Sequence, residues 1–174
     1  MEPKAELIRL LKGCGALKFG KFILTSGKES NYYVDIKLAI TKPEILSLIA
    51  DMMAGHVENE KLIAGMELGA VPLATALSLR TRKPFLIIRK GERTHGTMKQ
   101  IEGEFTPGDE VVLVEDVCTT AGSILRAVEI LGNAGCVVTR VIVVVDREEG
   151  GAEAIAARNL KLHALLKAHE LKEG

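Results

Sequence analysis

Val111-Val-Leu-Val-Glu-Asp-Val-Cys-Thr-Thr-Ala-Gly-Ser123 is the stretch that decides how this 174-residue chain is read. Four apolar residues run into two carboxylates, Glu115 and Asp116, and then into a turn of small and hydroxyl-bearing residues. Beyond Ser123 an amphipathic stretch carries Ile124, Leu125, Val128, Ile130 and Leu131. That order predicts a buried strand, a loop and a helix N-terminus. Free N–H groups at a helix start, beside the hydroxyls of Thr119, Thr120 and Ser123, make a cradle for a phosphate. The acidic pair just before it repels a phosphate unless hydroxyls or a divalent cation stand between them. A ribose 5-phosphate meets both demands, with ring hydroxyls on the carboxylates and its phosphate in the cradle. The plainer alternative is an ordinary β–α connection. A P-loop is excluded, because no Gly-Lys-[Ser/Thr] closes the turn. Carboxylates at the C-terminal end of a strand nevertheless stand where open α/β sheets bind their ligands.

Outward from this segment, apolar runs alternate with helical periodicity. Lys61–Met66, Pro84–Arg89, Glu110–Val114 and Val137–Val145 read as buried strands, and Pro43 to about Val57, Val71–Arg80 and Gly122–Asn133 read as helices. Continuous apolar strands alternating with helices predict an α/β fold, a parallel-sheet core with helices on both faces. One domain spans residues 1–174, with a core from about residue 41. Before it come a first helix, about Lys4–Leu11, and a polar, turn-rich stretch, Phe19–Asp35, that reads as a small appended subdomain. From about 90 to 107 three glycines and many charges predict a long exposed loop, which Ile101 and Phe105 can pin as a short hairpin.

Bulk properties bound the function. Basic and acidic residues number 23 each, so no nucleic-acid field is implied. Aromatic content is 3% with no Trp, so the core must rest on Val, Ile, Leu and Ala. Cys14, Cys118 and Cys136 share no C-x-x-C spacing and read as reduced thiols, Cys118 serving in its turn through small size rather than catalysis. Met1-Glu-Pro-Lys-Ala lacks the apolar stretch of a signal peptide, and no apolar run approaches a membrane span, so a cytoplasmic protein is expected. The four histidines show no metal-ligand spacing.

The Val111–Ser123 segment resembles the phosphoribosyl-diphosphate (PRPP) motif of type I phosphoribosyltransferases. Arg89-Lys-Gly-Glu-Arg-Thr-His-Gly96, taken alone a solvated charged loop, resembles the catalytic lid of the orotate phosphoribosyltransferase family, with Arg93 where many members carry Lys. Phe22–Asp35 is similar to the family's hood segment, F-x-L-x-S-G-x-x-S-x-Y-Y. Some members place a PRPP-contacting Lys where Thr25 stands, and Lys28 is the substitute at hand. Gly65-Met-Glu-Leu-Gly-Ala-Val-Pro72 resembles the pyrophosphate loop, although a simple β–α turn accounts for it nearly as well. Asp146-Arg147 ends the last strand, where a surface ion pair to Glu148 or Glu149 is the default without the other motifs. Ala121 stands where a second Gly is common, which a helix start tolerates while φ stays negative.

The resemblance spans Phe22–Gly151 and implies transfer of a 5-phosphoribosyl group from PRPP to orotate, giving orotidine 5′-monophosphate and pyrophosphate. It implies Glu115 and Asp116 on the ribose hydroxyls, and the segment from Val117 and Cys118 through Thr119, Thr120, Ala121, Gly122 and Ser123 around the 5-phosphate. Backbone N–H groups of Glu67, Leu68, Gly69 and Ala70 would face pyrophosphate, and Arg89, Lys90, Arg93 and His95 would close over it. Thr119, Arg147 and the backbone near Tyr33 and Val34 would meet orotate. It also implies Mg²⁺ carried by PRPP near Glu115 and Asp116 rather than in a protein cage, and a homodimer sharing lid residues. The rivals are a phosphoribosyltransferase for another base, which the hood tyrosines oppose, and a PRPP-sensing regulator, which lacks room here for a DNA-binding module. A bifunctional synthase would need a barrel-sized second domain.

Overall fold

The computed structural model describes residues 2–23, 29–91 and 99–173. After helix α1 (Pro3–Gly13), strands β1 (Leu17–Ile23) and β2 (Glu29–Val34) form an antiparallel pair. Then come α2 (Ile36–Ala39), α3 (Pro43–Ala54), β3 (Leu62–Met66), α4 (Ala70–Thr81), β4 (Phe85–Ile88), β5 (Ile101–Glu102) and β6 (Glu110–Cys118). The chain ends with α5 (Gly122–Asn133), β7 (Val137–Asp146), α6 (Gly151–Ala156), β8 (Lys161–Lys167) and α7 (Ala168–Glu173). The main sheet runs β5-β4-β3-β6-β7-β8, parallel except for the β4–β5 pair.

The anticipated strands and helices form within a few residues of their expected ends, and α5 matches Gly122–Asn133. Its buried residues, Ile124, Ala127 and Leu131, fall at helical spacing on one face. Those of α4, namely Ala70, Leu73, Ala74 and Leu77, do the same. Every residue of β3 is buried, as a strand covered on both faces requires. Two further strands form the edges, one of them where Ile101 was expected to pin the loop. Part of the expected exposed loop is β5, whose Ile101 is buried and pairs with Ile88, so the segment is anchored to the sheet before β6 begins. And β8, which lacks a long apolar run, completes the other edge.

Two cores lie on opposite faces. One gathers α1, α3, α4 and β8 with Val112, Val114, Ile142 and Val144; the other gathers α5 with Val111, Leu113, Val141 and Val143. Leu17, Tyr32 and Val34 of the β1–β2 pair belong to the first core, so the appended pair packs directly on the main body. Among the described residues no helix is long and apolar enough to cross a membrane.

The amino edge of the sheet is held by a buried ionic group. Glu60 is 2% exposed and accepts hydrogen bonds from Thr139 Oγ1 at 2.9 Å, from the Glu58 N–H at 2.8 Å and from Arg140 Nε. Burial alone would raise the Glu60 carboxyl, but these donors outweigh it and hold it below its ordinary value. Its stabilising effect is therefore present above the unfolded-state pKa and is lost as pH falls through the lower folded value. Glu60→Ala should cost about 1–3 kcal/mol at neutral pH by leaving Thr139 Oγ1, the Glu58 N–H and Arg140 Nε without their shared acceptor, while Arg140 keeps Glu58 and the His56 carbonyl, with the gap from wild type narrowing in acid, as read by urea unfolding in both buffers.

Candidate active site

Strands β3, β4, β6 and β7 all end on one edge, at Met66, Ile88, Cys118 and Asp146. The chain passes from β3 to β4 on one side, while β6 pairs with β3 on the other. Outward connections diverge there, opening a crevice at the carboxyl ends of β3 and β6. The loops meeting at this crevice carry most of the residues singled out in the sequence.

Strand alternation assigns the two carboxylates to different faces. Val112 and Val114 point to the core beneath α4, so Asp116 shares that side; Val111 and Leu113 point to α5, and Glu115 follows them. Asp116 Oδ2 accepts a hydrogen bond from Lys37 Nζ at 3.0 Å, and its Oδ1 accepts from the Val117 N–H at 2.8 Å. Glu115 accepts from the Asp116 N–H at 3.1 Å and from Ser123 Oγ at a long 3.5 Å. Burial, and then the charge of Asp116, push the Glu115 carboxyl up to about 7. Near neutral pH the Glu115 carboxyl therefore readily takes or gives a proton.

The turn after β6 departs from expectation at one residue. Ala121 has φ +65°, left-handed, where a negative value was expected. The chain must reverse sharply between the end of β6 and the first turn of α5, and a left-handed residue makes that corner at a steric cost of about 1–2 kcal/mol for Ala. Thr119 and Thr120 are exposed on this turn, while Cys118 beneath it is buried. Burial, with the charge of Asp146, pushes the Cys118 thiol up to about 12, so it is protonated and unreactive.

Across the crevice, Glu67–Gly69 connect β3 to α4, and the Glu67–Leu68 peptide is cis. Glu67 Oε1 accepts the Lys90 N–H at 2.7 Å, tying this loop to the chain leaving β4. Arg89 is turned to another partner: its Nε donates to Glu102 at 2.9 Å. Arg93, His95, Thr25 and Lys28 lie outside the described residues.

Beyond β6, Arg147 is 8% exposed, although it makes the pair to Glu149 expected of a surface arginine, with Nε at 2.8 Å. Its guanidinium lies over the Tyr32 ring at 4.8 Å, and Lys172 of α7 approaches that ring at 5.3 Å. Together with Ser30 and Glu149 these side chains line a cavity of about 460 Å³. The chain register pairs Tyr33 with Lys18 and Val34 with Leu17. A larger cavity of about 590 Å³ sits at the far end of α5, beside Ile101, Phe105 and Ile130, remote from the carboxylates in the fold. Lys37 and Lys172 carried no sequence signal, since each reaches the site from another part of the chain, and Ser30 was legible only as a serine of the hood motif.

Among the described residues no three His, Cys, Asp or Glu side chains converge as a metal cage. His56 and His163 stack at 5.0 Å, and His169 Nδ1 pairs with Glu148 at 3.0 Å. Glu115 and Asp116 offer the hard oxygen ligands that Mg²⁺ accepts while keeping most of its other ligands from water and substrate, so the residues present fit such an ion.

A family model described as "Phosphoribosyl transferase domain" matches residues 38–159. The orotate phosphoribosyltransferase of Pyrococcus furiosus is 55% identical over 174 residues, which cover 98% of this chain and 96% of that one. The crystal structure of orotate phosphoribosyltransferase from Aeropyrum pernix superposes with a TM-score of 0.87 at 32% identity, covering 96% of each chain. The Mycobacterium tuberculosis orotate phosphoribosyltransferase in complex with PRPP has a TM-score of 0.81 at 33% identity, covering 98% of this chain and 99% of that one.

Proposed function

The chain belongs to the phosphoribosyl transferase domain family, and from that premise we propose that it is an orotate phosphoribosyltransferase of pyrimidine biosynthesis. The observation that carries the reading is the pair of adjacent carboxylates at the end of β6, followed directly by the hydroxyl-lined start of α5.

In this reading the C1′–O bond of PRPP breaks toward pyrophosphate, and a ring nitrogen of orotate attacks C1′. No protein nucleophile is required. Asp116 and Glu115 hold the ribose hydroxyls and place negative charge beside the oxocarbenium-like centre. N–H groups at the start of α5 and the Thr119–Ser123 hydroxyls hold the 5-phosphate. Arg147 serves the carbonyl and carboxylate groups of the base, with Glu149 yielding part of its hold on the guanidinium. Mg²⁺, when bound, supplies positive charge to the diphosphate, and Glu115 and Asp116 are the residues that would hold it. Lys90, Arg93 and His95 close over the leaving group and keep water from the reacting centre. The same proposal includes a homodimer that shares these lid residues, and a cytoplasmic enzyme.

The test is Mg²⁺-dependent loss of orotate absorbance on adding PRPP, with uracil and purine bases as parallel substrates. Turnover should occur with orotate alone. Arg147→Met should raise KM for orotate about 10- to 100-fold, the worth of one or two charge-assisted bonds, and leave KM for PRPP near wild type. Turnover restricted to another base would remove the orotate reading, and absence of turnover with every base would remove the enzymatic one.

A further inference from the structure

The loop read as the pyrophosphate site brings no cation to a ligand that carries several negative charges. Glu67, Leu68, Gly69 and Ala70 include one charged side chain, and it is acidic. Glu67 is engaged by the Lys90 N–H, which holds its side chain at the loop. Within the loop itself only backbone N–H groups oppose that carboxylate and the diphosphate.

A cation does lie over the loop, from a different element. Lys37 stands in α2, the single helical turn that follows β2, and Asp35 caps that turn by accepting the Leu38 N–H at 3.1 Å. The Lys37 stem crosses above Gly69: a Cβ built at Gly69 would lie 3.5 Å from Lys37 Cγ and would collide with Asp116 Oδ2. Glycine at this position is what allows the lysine stem, the loop and the Asp116 carboxylate to meet. The ammonium ends 3.0 Å from Asp116 Oδ2 while the side chain remains 62% exposed. Lysine has three N–H donors, and Asp116 uses one, so two remain available to a ligand on this exposed side chain. Arg89, which opens the lid segment, is paired with Glu102 instead.

We propose that Lys37 is a pyrophosphate-binding residue, keeping one hydrogen bond to the ribose-holding carboxylate Asp116 while its remaining donors take the diphosphate over Gly69. This rests on the proposed phosphoribosyl-transfer reading. It assigns to α2 the cation that the pyrophosphate loop lacks, and it couples leaving-group binding to ribose binding through a single ammonium.

Wild type, Lys37→Met and Lys37→Arg should be compared in both reaction directions, together with calorimetric binding of PRPP and of inorganic pyrophosphate in the presence of Mg²⁺. In Lys37→Met, KM for PRPP and for pyrophosphate should rise about 10- to 100-fold, the loss expected for bonds to a charged ligand, and Lys37→Arg should recover most of it. KM for orotate and for orotidine 5′-monophosphate should stay near wild type, as should the thermal midpoint, because the side chain is largely exposed. Unchanged affinity for PRPP and pyrophosphate would overturn the assignment. So would a uniform shift in all four constants with the thermal midpoint, the mark of a structural role. If wild type failed to turn over orotate but bound pyrophosphate more tightly than Lys37→Met, Lys37 would stand and the activity would fall. If wild type bound neither PRPP nor pyrophosphate, both would fall.

Discussion

Glu115→Gln should lower turnover by about two to three orders of magnitude, the range seen when one preorganised electrostatic group is removed, and should also make the protein more stable above neutral pH. The two effects have one cause. Glu115 is buried beside another carboxylate, and its carboxyl sits at about 7 instead of its ordinary 4.5. Below 4.5 the group is protonated in both the folded and the unfolded chain, and nothing is lost. As pH rises through 7 the unfolded chain is ionised freely, while the folded one must ionise a buried group next to Asp116. The difference amounts to about 3 kcal/mol of lost stability, fully developed above the folded pKa. Glutamine keeps an oxygen for the Asp116 N–H, which now reaches Glu115 Oε1 at 3.1 Å, and it carries no charge. Urea unfolding should therefore show a wild type that weakens between about pH 5 and 8 and a variant that lacks this component. Equal pH profiles would show that Glu115 is not the strained group. Retained turnover would show that its charge has no part in the reaction.

The second large effect concerns a residue that contributes no functional group. Gly151 opens α6 directly beneath the turn after β6. A Cβ there would strike Cys118 Sγ, lie 2.6 Å from the Thr119 carbonyl oxygen and 3.3 Å from the Ala121 nitrogen. Two of these neighbours are backbone of the phosphate cradle, so the cradle itself has to move. Gly151→Ala should cost about 1–3 kcal/mol as an overpacked site and raise KM for PRPP at least tenfold, since a misplacement of about 1 Å can cost a hundredfold in such sites. Gly132→Ala is the matching control. It lies inside α5 with no atom within 4 Å of an added Cβ, and it should stabilise by about 0.5–1 kcal/mol without touching kinetics. Unfolding curves and PRPP saturation curves on both variants decide the matter, and a Gly151→Ala enzyme with wild-type KM would show that the turn is not held from below.

Much of the fold was legible because its signals are local. An apolar run, a pair of carboxylates and a hydroxyl-rich turn lie within thirteen consecutive residues, Val111–Ser123, and strand–turn–helix units of that size are specified by hydrophobic period and turn chemistry. The expected β3, β4, β6 and β7 form, and their shared edge brings Glu67–Gly69, Lys90, Glu115, Asp116 and Arg147 around one crevice. Edge strands were harder to read. β5 is two residues long and β8 has a mixed burial pattern, so neither carries a periodic signal, and both exist because the neighbouring strand offers unpaired backbone groups.

The sequence by itself determined the α/β class, the strand that ends in Glu115 and Asp116, and the helix start that follows, since each depends on residues a few positions apart. Only the tertiary structure decided which side chains share the site. Lys37 meets Asp116 across 79 positions, and Ser30 comes within 3.5 Å of Arg147 across 117. It also decided that Ala121 takes a left-handed conformation and that Glu115 is held near 7. Such properties come from burial and from neighbours delivered by other elements, and a residue's local sequence does not encode the field in which the fold finally sets it.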